Sequence, residues 1–409
     1  MPFVIRLALT FLLLSFFQYY FIKKSKSSLK GFFGERKFTY VTWIILILLN
    51  TYPLGILLYY LTVTFIFQES FIPPQSYLVD YLLIYPFWIS FLIVFQSILF
   101  LLTLDIIRIP ITYFKNSNKD SINKIFRRIS FVVIAFFVIY VPVRVIYDLN
   151  SVDIREVNYF VETDSKTQFN YRIAFISDVQ ADRYTSDTRL DKFMNTVNSA
   201  DPDLVLIAGD IITNTPFYIN YAAEKLSTIK SKDGVFSCVG DHDNWAYRGE
   251  TEKSRKEISD ALNKYKIQFV DNDIRKFSVN GKSLGIAFLT DTYTERINES
   301  TVERLLDSLK NDDIKIVLTH QPGRYIIESA VKKDFHLVLA GHTHGGQITF
   351  LYPFFNPSVT HFETNLVRGD FWFDDLLLIV TPGLGMSLAP VRYNATPEVT
   401  VINIRNKAL

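Results

Sequence analysis

Five short apolar runs in the C-terminal part of the sequence are each followed directly by residues that commonly bind metal ions. In open α/β sheets, ligands gather at the carboxyl ends of strands, so these side chains are expected to meet. A single Asp or His after a strand is ordinary, whereas five such endings in one chain predict a metal centre. The endings are Asp178 with Gln180, Gly209-Asp210, Gly240-Asp241-His242-Asp243, Thr319-His320 and Gly341-His342-Thr343-His344.

The types and spacing of these donors suit two cations. A pair of divalent cations about 3.5 to 4 Å apart needs carboxylates and imidazoles, with one oxygen that bridges both ions. An Asp-x-Gln pair directs two side chains of one loop to the same ion, and a His-x-His pair directs two imidazoles from one turn. All six histidines follow residue 150, so the histidine chemistry belongs to this half of the chain.

Alternating strands and helices are predicted to position these residues. From Tyr171 onward, short apolar runs alternate with segments of helical spacing, which is typical of layered α/β architecture. Asp187 and Ser300 are predicted helix N-caps. The predicted strands are residues 172–177, 204–208, 235–239, 284–289, 314–318, 335–339, 376–380 and 399–404, and the predicted helices are residues 188–197, 218–229, 253–265 and 302–309.

The ordered series of motifs resembles that of the calcineurin-like metallophosphoesterase family, whose pattern is Asp-x-His, Gly-Asp, Gly-Asn-His-Asp/Glu, His and Gly-His-x-His. The runs GHTHGGQ at 341–347 and PGLGMSLAPVRYNATPE at 382–398 are similar to a membrane-associated or exported bacterial branch of phosphodiesterases. The resemblance covers residues 170–405. It implies the α/β fold class, with a two-sheet α/β sandwich, for the predicted domain at 151–409.

The resemblance also implies roles for individual residues. His242 matches the catalytic histidine of the family, and Asp243 is expected to orient its ring. A hydroxide held by the metals is expected to attack the phosphorus atom of a phosphodiester or pyrophosphate. One metal is expected to be held by Asp178, Gln180 and His344, the other by Asp241, His320 and His342, with Asp210 bridging the two.

Two ligand positions depart from the family pattern. Gln180 stands where the family has His, and Asp241 stands where it has Asn. An amide oxygen is a harder and weaker donor than imidazole, which favours Mn or Mg over Zn. We therefore expect two divalent cations, with Mn as the first expectation and Mg, Fe or Zn as alternatives. We expect the site that contains Gln180 to bind the weaker, exchangeable ion.

Residues 1–150 are predicted to form an all-α transmembrane region of about four helices. Apolar stretches at 3–22, 40–67, 77–104 and 129–147 approach or exceed the roughly 20 residues that span a bilayer. The second contains Pro53 and Gly55, which predict a tilt, a kink or a re-entrant segment. Lys23, Lys24 and Lys26 follow the first stretch, so a retained helix is expected rather than a cleaved signal peptide.

The charges of the connecting loops predict the orientation in the membrane. The loops at 23–37 and 105–128 each carry six basic residues, and the loop at 68–80 carries none. By the positive-inside rule the basic loops are cytoplasmic, which places the C-terminal domain on the extracytoplasmic side. Residues 1–150 contain 14 Lys and Arg against 6 Asp and Glu. The C-terminal part is therefore mildly acidic, which argues against a nucleic-acid partner.

These features predict a membrane-embedded phosphodiesterase. A membrane lipid is the first expected substrate, because a tethered site meets lipid head groups at high effective concentration. The alternatives are a hydrolase of a soluble phosphoester, such as a nucleotide, and a catalytically weak phosphate-binding membrane sensor. Arg392 suits either phosphate recognition or a structural ion pair. The aromatic-rich stretch Phe350–Phe373 is expected either to dip into the membrane interface or to pack in the core with one hairpin.

Overall fold

The chain divides into two compact units. The helical unit comprises Met1–Ile146 and Phe350–Asn356, and the α/β unit comprises Tyr147–Thr349 and Pro357–Leu409. The computed structural model describes residues 3–29, 35–68, 76–115, 118–161, 170–185, 187–247 and 249–406.

Long apolar helices build the helical unit. Three described stretches, Arg36–Ile66, Tyr77–Phe114 and Lys119–Asn150, are long and apolar enough to cross a membrane. The first predicted stretch also forms a helix, which extends to Leu29 and so includes part of the predicted basic loop at 23–37. The helices are α1 (Phe3–Leu29), α2 (Glu35–Leu61), α3 (Tyr77–Val79), α4 (Tyr85–Phe114) and α5 (Lys119–Asn150), with π-helical turns at Thr62–Ile66 and Asp80–Ile84.

Parts of the loops used to predict orientation lie outside the described residues, namely 30–34, 69–75 and 116–117. The helix α2 continues through Pro53, and the π-helical turn at Thr62–Ile66 follows it directly. In the predicted second stretch at 40–67, the α-helix therefore continues without a break into a π-helix that ends at Ile66.

Two polar side chains of α4 bond to the segment Phe350–Asn356 of the same unit. Gln96 of α4 is fully buried. Its side-chain nitrogen donates to Leu351 O, and its side-chain oxygen accepts from Leu351 N, both at 2.8 Å. Thr103 Oγ1 lies 2.8 Å from the hydroxyl of Tyr352. Residues Phe350–Asn356 of the aromatic-rich stretch therefore join the helices.

Two six-stranded mixed sheets form the α/β unit. The strands are β1 (Asp153–Val161), β2 (Asn170–Ile176), β3 (Leu204–Ile207), β4 (Val235–Cys238), β5 (Ile267–Val270), β6 (Asp273–Val279), β7 (Lys282–Leu289), β8 (Ile314–Thr319), β9 (Leu337–Ala340), β10 (Gly369–Phe373), β11 (Leu376–Val380) and β12 (Glu398–Asn406). The helices are α6 (Asp187–Ser199), α7 (Ile219–Leu226), α8 (Thr251–Asn263), α9 (Glu299–Asp307) and α10 (Arg324–Lys332).

The strand order is β1-β12-β2-β3-β4-β5 in the first sheet and β10-β11-β9-β8-β7-β6 in the second. One apolar cluster contains buried residues of both sheets, including Phe175 and Phe288, so the sheets pack face to face. Side chains of α6, α7 and α8 cover the other face of the first sheet, and those of α9 and α10 cover the second. The predicted two-sheet α/β sandwich is confirmed.

The structure adds elements that the apolar runs did not predict. They are β1, β5, β6, β10 and α10, and β10 pairs with β11 as the hairpin expected in the aromatic-rich stretch. The predicted N-cap at Ser300 is wrong. Asn298 caps α9, because its side chain accepts a hydrogen bond from Thr301 N at 2.8 Å.

Candidate metal centre

The predicted site residues follow five strands whose carboxyl ends come together. β2, β3 and β4 are neighbours in the first sheet, and β8 and β9 are neighbours in the second. His320 Nδ1 lies 2.6 Å from Ala208 O, and His342 N donates to Asp178 Oδ2 at 3.1 Å. Each contact joins a loop of one sheet to a loop of the other.

Glycine is required where these loops approach most closely. A Cβ atom at Gly341 would lie 1.9 Å from Ser177 Oγ, and one at Gly240 would lie 2.2 Å from Asp210 N. Both distances are far below van der Waals contact. Gly341 therefore lets a ligand loop of the second sheet meet one of the first, and Gly240 lets the β3 and β4 loops of the first sheet meet.

Five of the seven predicted ligands hold a left-handed backbone, which non-glycine residues rarely adopt. Such strain persists where the surrounding structure imposes it, and it is concentrated at functional sites. The φ angles are 53° at Asp178, 49° at Gln180, 57° at Asp210, 70° at His342 and 50° at His344.

The ligand atoms form two groups that share His320. Donor atoms of Asp241, His320 and His342 lie within 4.8 Å of one another, and so do those of Asp178, Asp210 and His320. His320 Nε2 is 3.3 Å from Asp241 Oδ2 and 3.4 Å from Asp210 Oδ2. His344 Nε2 is 3.4 Å from Asp178 Oδ1. Gln180 Nε2 lies 2.8 Å from Asp210 Oδ2, so all seven predicted ligands enter the two groups or contact a member.

Several donor atoms of this centre are buried without a hydrogen-bond partner. They are Asp178 Oδ1, Gln180 Oε1 and His320 Nε2, and His344 has one unpartnered ring nitrogen, Nδ1. Burying a polar atom without a partner is unfavourable by about 1–3 kcal/mol. Carboxylate, amide and imidazole donors left in this state fit divalent cations.

Burial and charge interactions within the centre raise the pKa of some of its residues and lower that of others. Burial, reinforced by the charges of Asp178 and Asp241, raises the pKa of Asp210 to about 7. Burial also acts on Asp241, but the imidazoles of His320 and His342, the second with Nδ1 2.9 Å from Asp241 Oδ2, outweigh it and lower its pKa. For His342, burial is outweighed by hydrogen bonds to Asp241 and Glu363, which raise its pKa to about 9.

The two departures from the family pattern are both held by specific hydrogen bonds. Gln180 Nε2 donates to Asp210 Oδ2 at 2.8 Å. Asp241 Oδ1 accepts from Tyr293 N at 2.6 Å, and Asp241 Oδ2 accepts from Gln321 Nε2 at 2.8 Å. The neighbouring residues therefore match an amide at position 180 and a carboxylate at position 241.

The ring of His242 is fixed by residues other than the one predicted. Its Nδ1 contacts Thr213 O, and its Nε2 lies 3.1 Å from Ser387 Oγ. The ring of Trp245 stands edge-on at 4.6 Å. Burial, the largest influence, lowers the pKa of His242.

The prediction that Asp243 orients the His242 ring is wrong. Its carboxylate accepts hydrogen bonds from the backbone N–H groups of Gly240, Asp210 and Ile211, at 2.8 to 2.9 Å. Asp243 is fully buried. It therefore ties the β3 loop to the β4 loop and acts on the site through the backbone.

Sequence reasoning missed a polar cluster at His342. His342 Nε2 lies 3.0 Å from Glu363 Oε1 and 3.2 Å from the hydroxyl of Tyr293, which itself donates to Glu363. Tyr293 and Glu363 belong to loops without a motif, so nothing in their spacing pointed to them. Ser387 lies within the quoted C-terminal run, which is the one signal that could have found it.

Arg392 is neither a phosphate ligand nor part of an ion pair among the described residues. Its fully buried guanidinium donates only to backbone carbonyls, those of Pro382, Gly385, His344 and Ala395. Burial lowers its pKa to about 9. Arg392 therefore fixes the loop between β11 and β12 against the His344 turn.

This fold and this set of donors define a metal-dependent phosphoester hydrolase. The family model described as calcineurin-like phosphoesterase matches residues 171–346. The chain is 30% identical over 241 residues to a Bacillus subtilis metallophosphoesterase, YkuE, a match that covers 58% of this chain and 79% of the relative. The chain belongs to the calcineurin-like phosphoesterase family, as the motifs predicted.

Two further relatives match over a similar length of the chain. One is a Caenorhabditis elegans metallophosphoesterase, 29% identical over 244 residues, covering 58% of this chain and 48% of the relative. The other is a zebrafish (Danio rerio) transmembrane protein with metallophosphoesterase domain. It is 26% identical over 244 residues, a match that covers 57% of this chain and 53% of the relative. The match therefore spans about half the length of these two relatives.

Proposed function

We propose that the chain is a membrane-anchored phosphodiesterase that uses two divalent cations. The observation that carries this proposal is the set of buried donor atoms without partners at Asp178, Gln180 and His320. A folded protein leaves such atoms unpaired where another group pairs with them in the working state. Phosphodiester or pyrophosphate hydrolysis is the reaction, within the family's chemistry, that we assign to it.

The residues of the centre would have distinct roles. One cation would be held by Asp178, Gln180 and His344. The other would be held by Asp241, His320 and His342, and Asp210 would bind both. When bound, the cations supply Lewis acidity and lower the pKa of water. Manganese is the first candidate, because the amide and carboxylate oxygens make the donor set hard.

His242 would handle the proton of the leaving group. Its Nδ1 is engaged by Thr213 O, so Nε2 is the nitrogen that remains for a proton. Ser387 Oγ, at 3.1 Å from Nε2, holds the ring plane in place. A poor alkoxide leaving group departs far more readily when its oxygen receives a proton and leaves as the neutral alcohol.

The test is a metal-reconstitution assay on the full-length protein in detergent. Protein stripped of metal is assayed with bis-p-nitrophenyl phosphate and Mn, Mg, Zn or Fe, beside His242→Ala and Asp210→Asn. Asp260→Asn, on the exposed face of α8, is the matched control. Metal-dependent turnover that Asp210→Asn abolishes and the control retains is the expected result, with a smaller loss for His242→Ala because 4-nitrophenoxide can leave without a proton. Folded, metal-loaded protein without turnover would favour a phosphate-binding sensor.

For the substrate we propose a membrane lipid, with a soluble phosphoester as the second candidate. Three helices that are apolar enough to cross a membrane support it, since a tethered site samples lipid head groups at high effective concentration. Faster turnover of a phosphodiester lipid in mixed micelles than of a nucleotide diester is expected. The opposite preference would favour the soluble substrate.

For the side of the membrane we propose the extracytoplasmic face, on the charge pattern of the loops. Lys256 is 77% exposed, and Cys238 is buried, so Lys256→Cys places one reactive thiol on the α/β unit. A membrane-impermeant maleimide is expected to label this variant in intact cells. Labelling only after lysis would place the unit on the cytoplasmic side.

A further inference from the structure

Four exposed apolar side chains, here called the apolar rim, lie beside the histidines of the metal centre. Leu388 and Phe362 are 102% and 94% exposed, Tyr293 is 52% exposed, and Trp245 is 36% exposed. Single exposed apolar residues are ordinary on protein surfaces, whereas a cluster of them indicates a binding surface. Contacts made by these residues or by their neighbours in sequence tie them to the site.

Every member of the apolar rim contacts a site histidine or adjoins a residue that does. The rings of Trp245 and His242 are 4.6 Å apart, and those of Tyr293 and His342 are 5.2 Å apart. Leu388 follows the serine that contacts His242 Nε2, and Phe362 precedes the glutamate that contacts His342 Nε2. The rim therefore borders both histidines.

Leu388 is held in its exposed position by the surrounding loop. Its φ angle is 62°, a region that favours Gly and Asn over Leu. The side chain of Gln347 binds the loop on both sides of Leu388. Gln347 Oε1 accepts from Ser387 N at 2.8 Å, and Gln347 Nε2 donates to Ala389 O at 2.9 Å. Full exposure to water and a positive φ angle are both unfavourable for leucine, which points to a binding role for Leu388.

The polar atoms of the apolar rim are already engaged. The Tyr293 hydroxyl donates to Glu363, and Trp245 Nε1 donates to Thr294 Oγ1 at 3.1 Å. The rim thus presents hydrocarbon and aromatic surface to an occupant, while the adjoining centre, with the two proposed cations bound, would present positive charge. An occupant that satisfies both surfaces has a charged phosphate next to an apolar chain.

We propose that the apolar rim binds a hydrocarbon chain of the substrate while its phosphodiester lies at the metal centre. This inference rests on the proposed function and specifies its substrate class as an amphiphilic phosphodiester. The chain reaches the α/β unit at Tyr147 directly from α5, which is apolar enough to cross a membrane. Such an anchor keeps the site where amphiphiles are concentrated.

The test is a series of 4-nitrophenyl phosphodiesters whose second ester group is methyl, butyl or hexyl. Each is kept below its critical micelle concentration, and kcat/KM is measured with Mn for the full-length protein in nanodiscs. Burial of each additional methylene group strengthens binding, so kcat/KM is expected to rise at least about tenfold from methyl to hexyl. The double variant Leu388→Ser/Phe362→Ser is expected to reduce this ratio to about twofold.

Phe160→Ser is the matched control for this series. Phe160 is 52% exposed and lies near the end of β1. β1 pairs in parallel with β12, and β12 is antiparallel to β2, so this end of β1 points away from the metal loops. The control is expected to keep the wild-type ratio of hexyl to methyl ester.

Two outcomes would overturn the inference, and a third concerns the proposed function. A wild-type ratio near one, or a wild-type ratio retained by the double variant, would mean that the apolar rim binds no chain. Absence of metal-dependent turnover of the methyl ester by the wild-type protein would instead refute the phosphodiesterase itself.

Discussion

The side-chain amide of Gln180 donates to Asp210 Oδ2 at 2.8 Å and leaves its own oxygen, Gln180 Oε1, buried without a partner. One residue therefore holds the predicted bridging carboxylate and still offers an oxygen to a cation. Histidine, the residue of the family pattern, would offer a nitrogen at this position. The departure changes the chemistry of one site and keeps a donor there.

The first prediction concerns the affinity of the two metal sites. An amide oxygen is a weaker donor than imidazole, so calorimetric titration of metal-free protein with Mn is expected to show one tight and one weaker step. Gln180→Ala is expected to weaken the second step at least about tenfold, because it removes a ligand and the hydrogen bond to Asp210. The first step is expected to change much less.

Gln268→Ala is the control for this titration, because Gln268 is exposed and its side chain bonds to Arg275. It is expected to reproduce the wild-type isotherm. Two equally tight sites in the wild-type protein would contradict the assignment of Gln180 to a weak site.

The second prediction concerns the carboxylate at position 241. Asp241 accepts hydrogen bonds on both oxygens, from Tyr293 N and from Gln321 Nε2. An asparagine would turn its NH₂ group toward one of these donors. Gln321 is not free to reverse its amide, because Gln321 Oε1 accepts from Arg296 at 2.7 Å.

Asp241→Asn is therefore expected to lower the stability of the metal-free protein by about 1–3 kcal/mol, measured as a lower Tm. It is also expected to weaken Mn binding, since a negative charge is lost. Adding Gln321→Glu supplies an acceptor for the new NH₂ group and is expected to restore part of the Tm. Equal Tm values for Asp241→Asn and the wild-type protein would refute this account.

The strand ends could be predicted from sequence, but much of what surrounds them could not. Asp, Gly and His directly after buried apolar strands are distinctive, so Asp178, Asp210 and His320 stand out in the sequence. Tyr293 and Glu363 meet His342 only through the tertiary fold. The role of Asp243 was misjudged because adjacency to His242 in sequence does not fix where its carboxylate points.

Burial explains which strands were missed. β6 and β10 alternate between exposed and partly buried residues, so they lack the continuous apolar run of a central strand. Likewise, an apolar run such as Phe350–Asn356 suits a membrane interface as well as a core. The contacts of Leu351 and Tyr352 with α4 show that this run joins the helical unit, which its composition alone does not indicate.

The third prediction concerns Arg392. Its planar guanidinium donates to carbonyls that lie on several sides of it, which a single ammonium group cannot do. Arg392→Lys is expected to lower the free energy of unfolding by about 2–4 kcal/mol, by leaving buried carbonyls without donors. Thermal unfolding followed by fluorescence measures the change as a lower Tm.

Arg324→Lys is the matched control, because Arg324 is 92% exposed and pairs only with Glu328 among the described residues. Its Tm is expected to match that of the wild-type protein. A Tm for Arg392→Lys within a degree or so of the wild-type value would show that the buried hydrogen bonds of Arg392 are dispensable.

The fourth prediction concerns the hydrogen bonds that join Gln96 to the segment Phe350–Asn356. The two hydrogen bonds between the Gln96 side chain and the backbone of Leu351 satisfy a donor and an acceptor in an apolar environment. Gln96→Leu removes both, at about 1–3 kcal/mol for each group left unpaired. The segment is therefore expected to open more often, and its cleavage by chymotrypsin to accelerate at least about fivefold.

Two further variants separate this effect from a general loosening of the helices. Burial favours the protonated form of a carboxyl group at this position, so Gln96→Glu keeps an acceptor for Leu351 N and an O–H donor for Leu351 O, and its cleavage rate is expected to fall between those of the wild type and Gln96→Leu. Gln18→Leu breaks the pairing of Gln18 with Asn50 in the same unit and is expected to leave cleavage at Phe350–Asn356 unchanged. If Gln18→Leu accelerated that cleavage as much as Gln96→Leu, the segment would be held by the packing of the helices and not by Gln96.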